Sequence, residues 1–93
     1  MNKYNFKVGD KVHIRAWDDM AAEFGYCDEC KDDIACDTEY PFTEEMTPSC
    51  GCTATITRIG VGGEVELLFD DEEIEADYGK GWYVYVFNMI EPV

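Results

Sequence analysis

Cys50-Gly51-Cys52-Thr53-Ala54-Thr55-Ile56-Thr57-Arg58-Ile59 is the stretch that decides the fold. Ala54 and Ile56 alternate with Thr53, Thr55 and Thr57, the period-two pattern of a strand with one face buried and one face wet. Cys52 has the same parity as Ala54 and Ile56, so this register places it against the core as a small apolar residue.

Downstream, Gly60-Val61-Gly62-Gly63 reads as a turn and Glu64–Phe69 as a second strand with Val65, Leu67 and Phe69 inward, which makes a hairpin. Upstream, Gly9-Asp10 turns the chain into a strand ending at Arg15, with Val12 and Ile14 inward and Lys11, His13 and Arg15 outward. An outward His13 with no neighbouring nucleophile reads as a surface residue. Four of the seven basic residues, Lys3, Lys7, Lys11 and Arg15, fall in the first fifteen positions and are expected to pair with acidic neighbours.

Trp17–Gly25 reads as a short helix: Asp18 as cap, Met20 and Phe24 four apart on one face, Gly25 as stop. Tyr26–Thr38 has no sustained period and reads as a loop. A second short helix is expected from Thr43 as cap with Glu44 and Glu45 in its first turn, and Pro48 is expected to end it almost at once. Asp70-Asp71-Glu72-Glu73 reads as a charged tip, Ile74–Tyr78 as a weaker alternating segment, and Gly79-Lys80-Gly81 as a turn. Trp82–Phe87 reads as a strand apolar on both faces, one of them covered by the two helices. Asn88–Val93 closes the chain, with Pro92 suited to an edge. The sum is mainly β: one domain over residues 1–93, a small antiparallel barrel of about five strands that closes on itself, with two short helices packed on it.

With 21 acidic against 7 basic side chains, a net charge of −14 opposes direct binding to nucleic acid or to an anionic membrane. The expected partner is a protein with a basic surface. Six Tyr, five Phe and two Trp give the chain enough apolar mass to fold despite that charge. The first fifteen residues contain no apolar run of the secretory kind, and no segment approaches the ~20 apolar residues that span a bilayer, so a soluble, cytoplasmic monomer is expected.

The sharpest chemical pattern is Cys27-x-x-Cys30 with Cys50-x-Cys52, since two such pairs can complete a tetrahedral metal site. The single residue between Cys50 and Cys52 is short for a structural zinc knuckle, so the reading favours reduced thiols with no metal and no cofactor. A zinc-stabilised module and a regulatory disulfide stand as alternatives. Calcium finds no D-x-D-x-D-G loop here. Catalysis fits poorly, because a cysteine nucleophile would have only His13 as base, and no enzyme is expected.

Two regions concentrate the negative charge: eight acids between Asp28 and Glu45 and six between Asp70 and Asp77. A chain of this size is roughly 30 Å across, and duplex DNA of that length carries about 18 phosphates. Mimicry of nucleic acid is therefore numerically feasible beside the plainer reading that the acids confer solubility.

The set K-V-G-D-K-V-x-I-R at 7–15, W-D-D-M at 17–20 with F-G at 24–25, F-T-E-E-M at 42–46, C-G at 50–51, A-T-I-T-R-I at 54–59, the Trp-led segment at 82 and M-I-E-P at 89–92 resembles the small SH3-like barrel proteins of phages and prophages of Gram-positive bacteria. The resemblance implies an SH3-like barrel and no assigned activity, and it adds to the acidic composition the alternative of a nucleic-acid-mimicking inhibitor of a host defence nuclease. The Cys27–Cys36 loop and the Asp70–Asp77 stretch depart from that pattern. Together these observations point to a non-catalytic protein-interaction module. Its expected contact residues are Trp82, Tyr83 and Tyr85, since Tyr and Trp are enriched at such surfaces, with Asp70, Asp71, Glu72 and Glu73. Of the three rings, Trp82 is the one most expected to fill the barrel and the helix seam instead.

Self-repulsion of this size is screened by salt. The melting temperature is therefore expected to rise between about 20 and 300 mM NaCl, within a few Debye lengths of the surface; calorimetry showing a fall over that range would contradict a charge-strained fold.

Overall fold

The hairpin read from the sequence forms the centre of the molecule. The computed structural model describes residues 4–27, 32–37 and 39–93. Strands β1 (Lys11–Ile14), β2 (Thr53–Ile59), β3 (Glu64–Phe69), β4 (Tyr85–Val86) and β5 (Ile90–Pro92) form one antiparallel sheet in the order β4-β3-β2-β1-β5. In β2 and β3 the inward set is the one the alternation demands: Ala54, Ile56, Val65, Leu67 and Phe69 are buried, while Thr57, Glu66 and Leu68 are exposed.

The register slips between Ile56 and Arg58, leaving Thr57 as the extra residue of a bulge, and its Oγ1 donates to the Glu66 carbonyl at 3.2 Å. A bulge of this kind bends its strand and raises the local twist. The result is a curled half-barrel. Among the described residues no ladder joins β4 to β5; a 3-10 turn, Phe87–Met89, spans that gap instead of the expected closure.

Helix α1 (Trp17–Phe24) begins one residue earlier than the expected cap. Ala16 takes the cap position and offers no side-chain bond, whereas Asp18 and Asp19 sit inside the first turn, where carboxylates favour the helix dipole. Gly25, at φ 73°, ends the helix as expected and returns its N–H to the Ala21 carbonyl. Met20 is fully buried. Arg15 ties α1 to the sheet: its guanidinium meets Glu23 at 2.7 Å, the Asn88 carbonyl at 3.0 Å, and the Phe24 ring at 5.5 Å.

The second expected helix is a 3-10 turn, Glu44–Ser49, which carries Pro48 inside it and continues to Ser49. A 3-10 turn has few internal N–H bonds to lose, so a proline near its end is tolerated. Phe42 and Met46 anchor this segment in the core.

Residues 72–78 form helix α2 (Glu72–Tyr78), not an alternating strand. The Asp71 carboxylate accepts from the N–H groups of Glu73 and Ile74, closing the first turn. Ile74 and Tyr78, four apart, turn toward the core, and Glu75 accepts the Phe69 N–H at 2.9 Å, tying α2 to the end of β3.

Beneath the 3-10 turn lies a buried relay. Tyr85, 2% exposed, donates from its hydroxyl to Ser49 Oγ at 2.9 Å, and Ser49 donates to the Met46 carbonyl at 2.6 Å. The Tyr85 ring meets Phe42 and Phe69 edge-on, at 6.5 and 5.7 Å between centroids. Tyr85→Phe keeps the packing and removes one buried donor, at a cost of about 1 kcal/mol. That corresponds to a fall of about 4–8 °C in melting temperature for a domain of this size; a variant melting within 1 °C of the parent would show that the relay contributes nothing, the shift being smaller than about a quarter of that expected.

Candidate aromatic and acidic contact surface

The 3-10 turn and the turn after α2 together build the most distinctive surface. Gly79 closes α2, and Lys80 and Gly81 both take left-handed backbone angles, φ 57° and 82°. Two such residues in succession reverse the chain sharply, a conformation glycine adopts freely and lysine does not. The reversal throws Trp82 outward, 73% exposed, before the chain enters β4.

Tyr83 lies half-buried against Tyr78, with ring centroids 5.2 Å apart and planes 29° from parallel. Both phenols reach the 3-10 turn: Tyr78 donates to the Glu45 carbonyl at 3.0 Å and Tyr83 to the Glu45 carboxylate at 3.3 Å. Desolvation first, and then Asp77 and Glu45, raise the Tyr78 phenol above its ordinary value. Tyr83 is raised by desolvation and then by Glu45.

Around these rings Tyr40, Pro41, Thr43, Met46, Trp82, Tyr83 and Val84 line a small apolar cleft of about 210 Å³. Space on this scale admits one side chain, below the usual range for a small-molecule site. Thr43 also borders an open acidic depression lined by Asp32, Asp33, Glu44 and Glu45. The surface thus runs from an apolar cleft straight into a carboxylate field.

The residues expected to make contact divide. Trp82 and Tyr83 lie on this surface. Tyr85 does not: it is buried, because the delayed start of β4 puts it on the inner face under Ser49. Trp82 is exposed, as its place among the expected contact residues requires, and does not fill the seam, the alternative weighed for it. Asp70 pairs with Lys11 at 2.7 Å across the sheet, and Asp71 is spent on the α2 cap, while Glu72 and Glu73 project from the first turn of α2. His13 lies on β1, bonded to Glu91 of β5 at 2.9 Å. Sequence reasoning missed Tyr40, Pro41, Glu45, Tyr78 and Val84; the signal for Tyr78 was the Asp71-Glu72-Glu73 helix start, which brings it over the 3-10 turn.

No family model, curated protein or solved structure matches the chain.

The cysteines separate into two neighbourhoods. Cys27 and Cys36 flank the loop after α1, and Cys50 and Cys52 precede β2; Cys30 lies outside the described residues. Among the described residues no group of three or more His, Cys, Asp or Glu side chains is placed to hold a metal ion. Cys36 is buried, with its thiol 3.8 Å from Met20 Sδ. Cys52 packs against the core as its parity with Ala54 and Ile56 implies, but it is only partly buried, and its thiol reaches the Pro48 carbonyl at 3.7 Å.

Burial pushes the Cys36 thiol from 9.0 up to about 12 and raises Cys50 and Cys52 as well. Burial also drives the Tyr85 phenol far above its ordinary 10.0. The folded chain therefore holds protons that the unfolded chain has lost. Stability is fully present below pH 9 and falls as pH climbs through 9 and beyond, where the thiols ionise in the unfolded state. Cys36→Ala should flatten that decline by about 1.4 kcal/mol per pH unit above pH 9; urea titrations giving the same slope for variant and parent would refute it.

Proposed function

We propose that the chain is a non-catalytic protein-interaction module built on an SH3-like barrel of the kind found in phage proteins, and that the face carrying Trp82 receives a basic segment of a partner protein. The single observation that carries this is the junction of an apolar cleft around Trp82 with the Asp32, Asp33, Glu44 and Glu45 depression through Thr43. An exposed tryptophan beside a small apolar cleft is the composition of an interface anchor, and a rim of one charge selects a partner of the other. The lone histidine, engaged with Glu91 on the opposite edge of the sheet order from β4, offers no base to this surface. No helix among the described residues is long and apolar enough to cross a membrane.

Selection from a random peptide display library should enrich sequences that combine Lys or Arg with one bulky apolar residue. Their binding to the parent protein should weaken about tenfold on Trp82→Ala, about 1.4 kcal/mol, and fall steeply with added salt. Selected peptides without basic residues, or equal binding by the Trp82→Ala protein, would overturn the reading.

A second reading, inhibition of a host nuclease by nucleic-acid mimicry, draws on one observation. The packing of α2 on the 3-10 turn brings the two acidic regions of the sequence together, so that Asp77 and Glu45 act on the same two phenols. That reading requires competition with duplex DNA for a basic nuclease, and insensitivity to Trp82→Ala would set it apart from the first.

A further inference from the structure

On the other side of the acidic depression, Trp17 and the 52% exposed Tyr26 stand with ring centroids 6.3 Å apart and planes inclined at 41°. With Asp32, Glu44 and Thr47 they line a shallow, open cleft of about 450 Å³. It shares Asp32 and Glu44 with the central depression, which in turn shares Thr43 with the Trp82 cleft, so the three form one continuous strip.

Trp17, Tyr26 and Glu44 are fixed from behind. Trp17 meets the buried Phe42 ring edge-on at 6.0 Å, Tyr26 is bridged to Ile34, and the Glu44 N–H bonds to Asp33 Oδ1 at 3.2 Å. The ion pairs found among the described residues are Lys11 with Asp70, His13 with Glu91, Arg15 with Glu23 and Arg58 with Glu66; none uses Asp32 or Glu44. Two aromatic rings and two carboxylates without a cationic partner among those residues thus border one depression.

We infer that this cleft, formed by Trp17, Tyr26, Asp32 and Glu44, is a subsite for an arginine side chain of the same partner segment that reaches Trp82. The inference rests on the protein-interaction reading above and adds the chemistry of a second contact. A ring face attracts a cation through its quadrupole, and a guanidinium also stacks as a plane while its N–H fork meets a carboxylate. Lysine would supply only the point charge. The chain's net charge of −14 supplies long-range attraction for such a segment.

The test uses the full chain and small probes, with the ring signals of Trp17 and Tyr26 followed by NMR. N-acetyl-arginine methylamide should move those signals saturably, at least threefold more tightly than N-acetyl-lysine methylamide or tetramethylammonium. Asp32→Asn with Glu44→Gln, both exposed positions, should abolish the saturation while the melting temperature is retained or raised. Trp82→Ala should leave the probe's affinity unchanged. Shifts scattered evenly over the acidic surface, no preference for arginine, or tighter binding of tetramethylammonium would overturn the subsite. If the subsite fails while Trp82-dependent peptide binding persists, only this inference falls. Loss of that peptide binding while the arginine probe still saturates at Trp17 and Tyr26 leaves the subsite standing and removes the wider reading.

Discussion

A buried phenol fastens the short β4 end of the sheet to the 3-10 turn beside it. β4 contributes only Tyr85 and Val86 to the sheet, too short a strand to be secured by its ladder alone. The Tyr85 hydroxyl, Ser49 and the Met46 carbonyl form a fully satisfied chain of donors and acceptors, so that end of the sheet is fastened to the 3-10 turn through the core. Everything on the outer surface above that point inherits its position: Met46 lines the cleft, Glu45 takes both tyrosine hydroxyls, and Trp82 leaves the fold three residues before the buried ring.

The charge imbalance is managed by an unusual division of labour. With seven basic side chains for 21 acids, most carboxylates cannot have an ion pair. Several accept backbone N–H groups instead: Asp10 from Lys7, Asp33 from Glu44, Asp37 from Glu39, Asp71 from Glu73 and Ile74, and Glu75 from Phe69. Such bonds are charge-assisted and satisfy N–H groups at turns and helix starts that lack a partner in the regular ladders. The acidity is thus partly structural, and Asp32 and Glu44, which line the depression, are among the carboxylates left over.

The central hairpin was legible because Ala54, Ile56, Val65, Leu67 and Phe69 keep strict alternation and glycines mark its turn. Helix α1 was legible from Met20, Phe24 and Gly25. Helix α2 was not, since over five residues the apolar positions Ile74, Ala76 and Tyr78 fit a period of two as well as a period of four. The Asp71 cap would have decided between them. The aromatic segment misled for a different reason: the left-handed pair Lys80 and Gly81 delays β4, and the 3-10 turn after it buries Tyr85, Val86 and Phe87 consecutively. Strand parity cannot assign faces across such a break, so Tyr85 was grouped with the surface rings Trp82 and Tyr83 although it is buried. The cleft itself depends on Tyr40, Thr43 and Trp82 meeting across long separations in the chain, which no local pattern encodes.

The two margins of the sheet have a bearing on how the molecule behaves when crowded. One margin offers two residues, and the other, Ile90–Pro92, ends on an imino acid with no hydrogen to donate. Neither gives a neighbouring copy a long row of free amides on which to template itself, so accretion into fibres by strand addition is disfavoured at both borders. A chain with so many aromatic residues can in this way remain dispersed while keeping an indole bare to solvent.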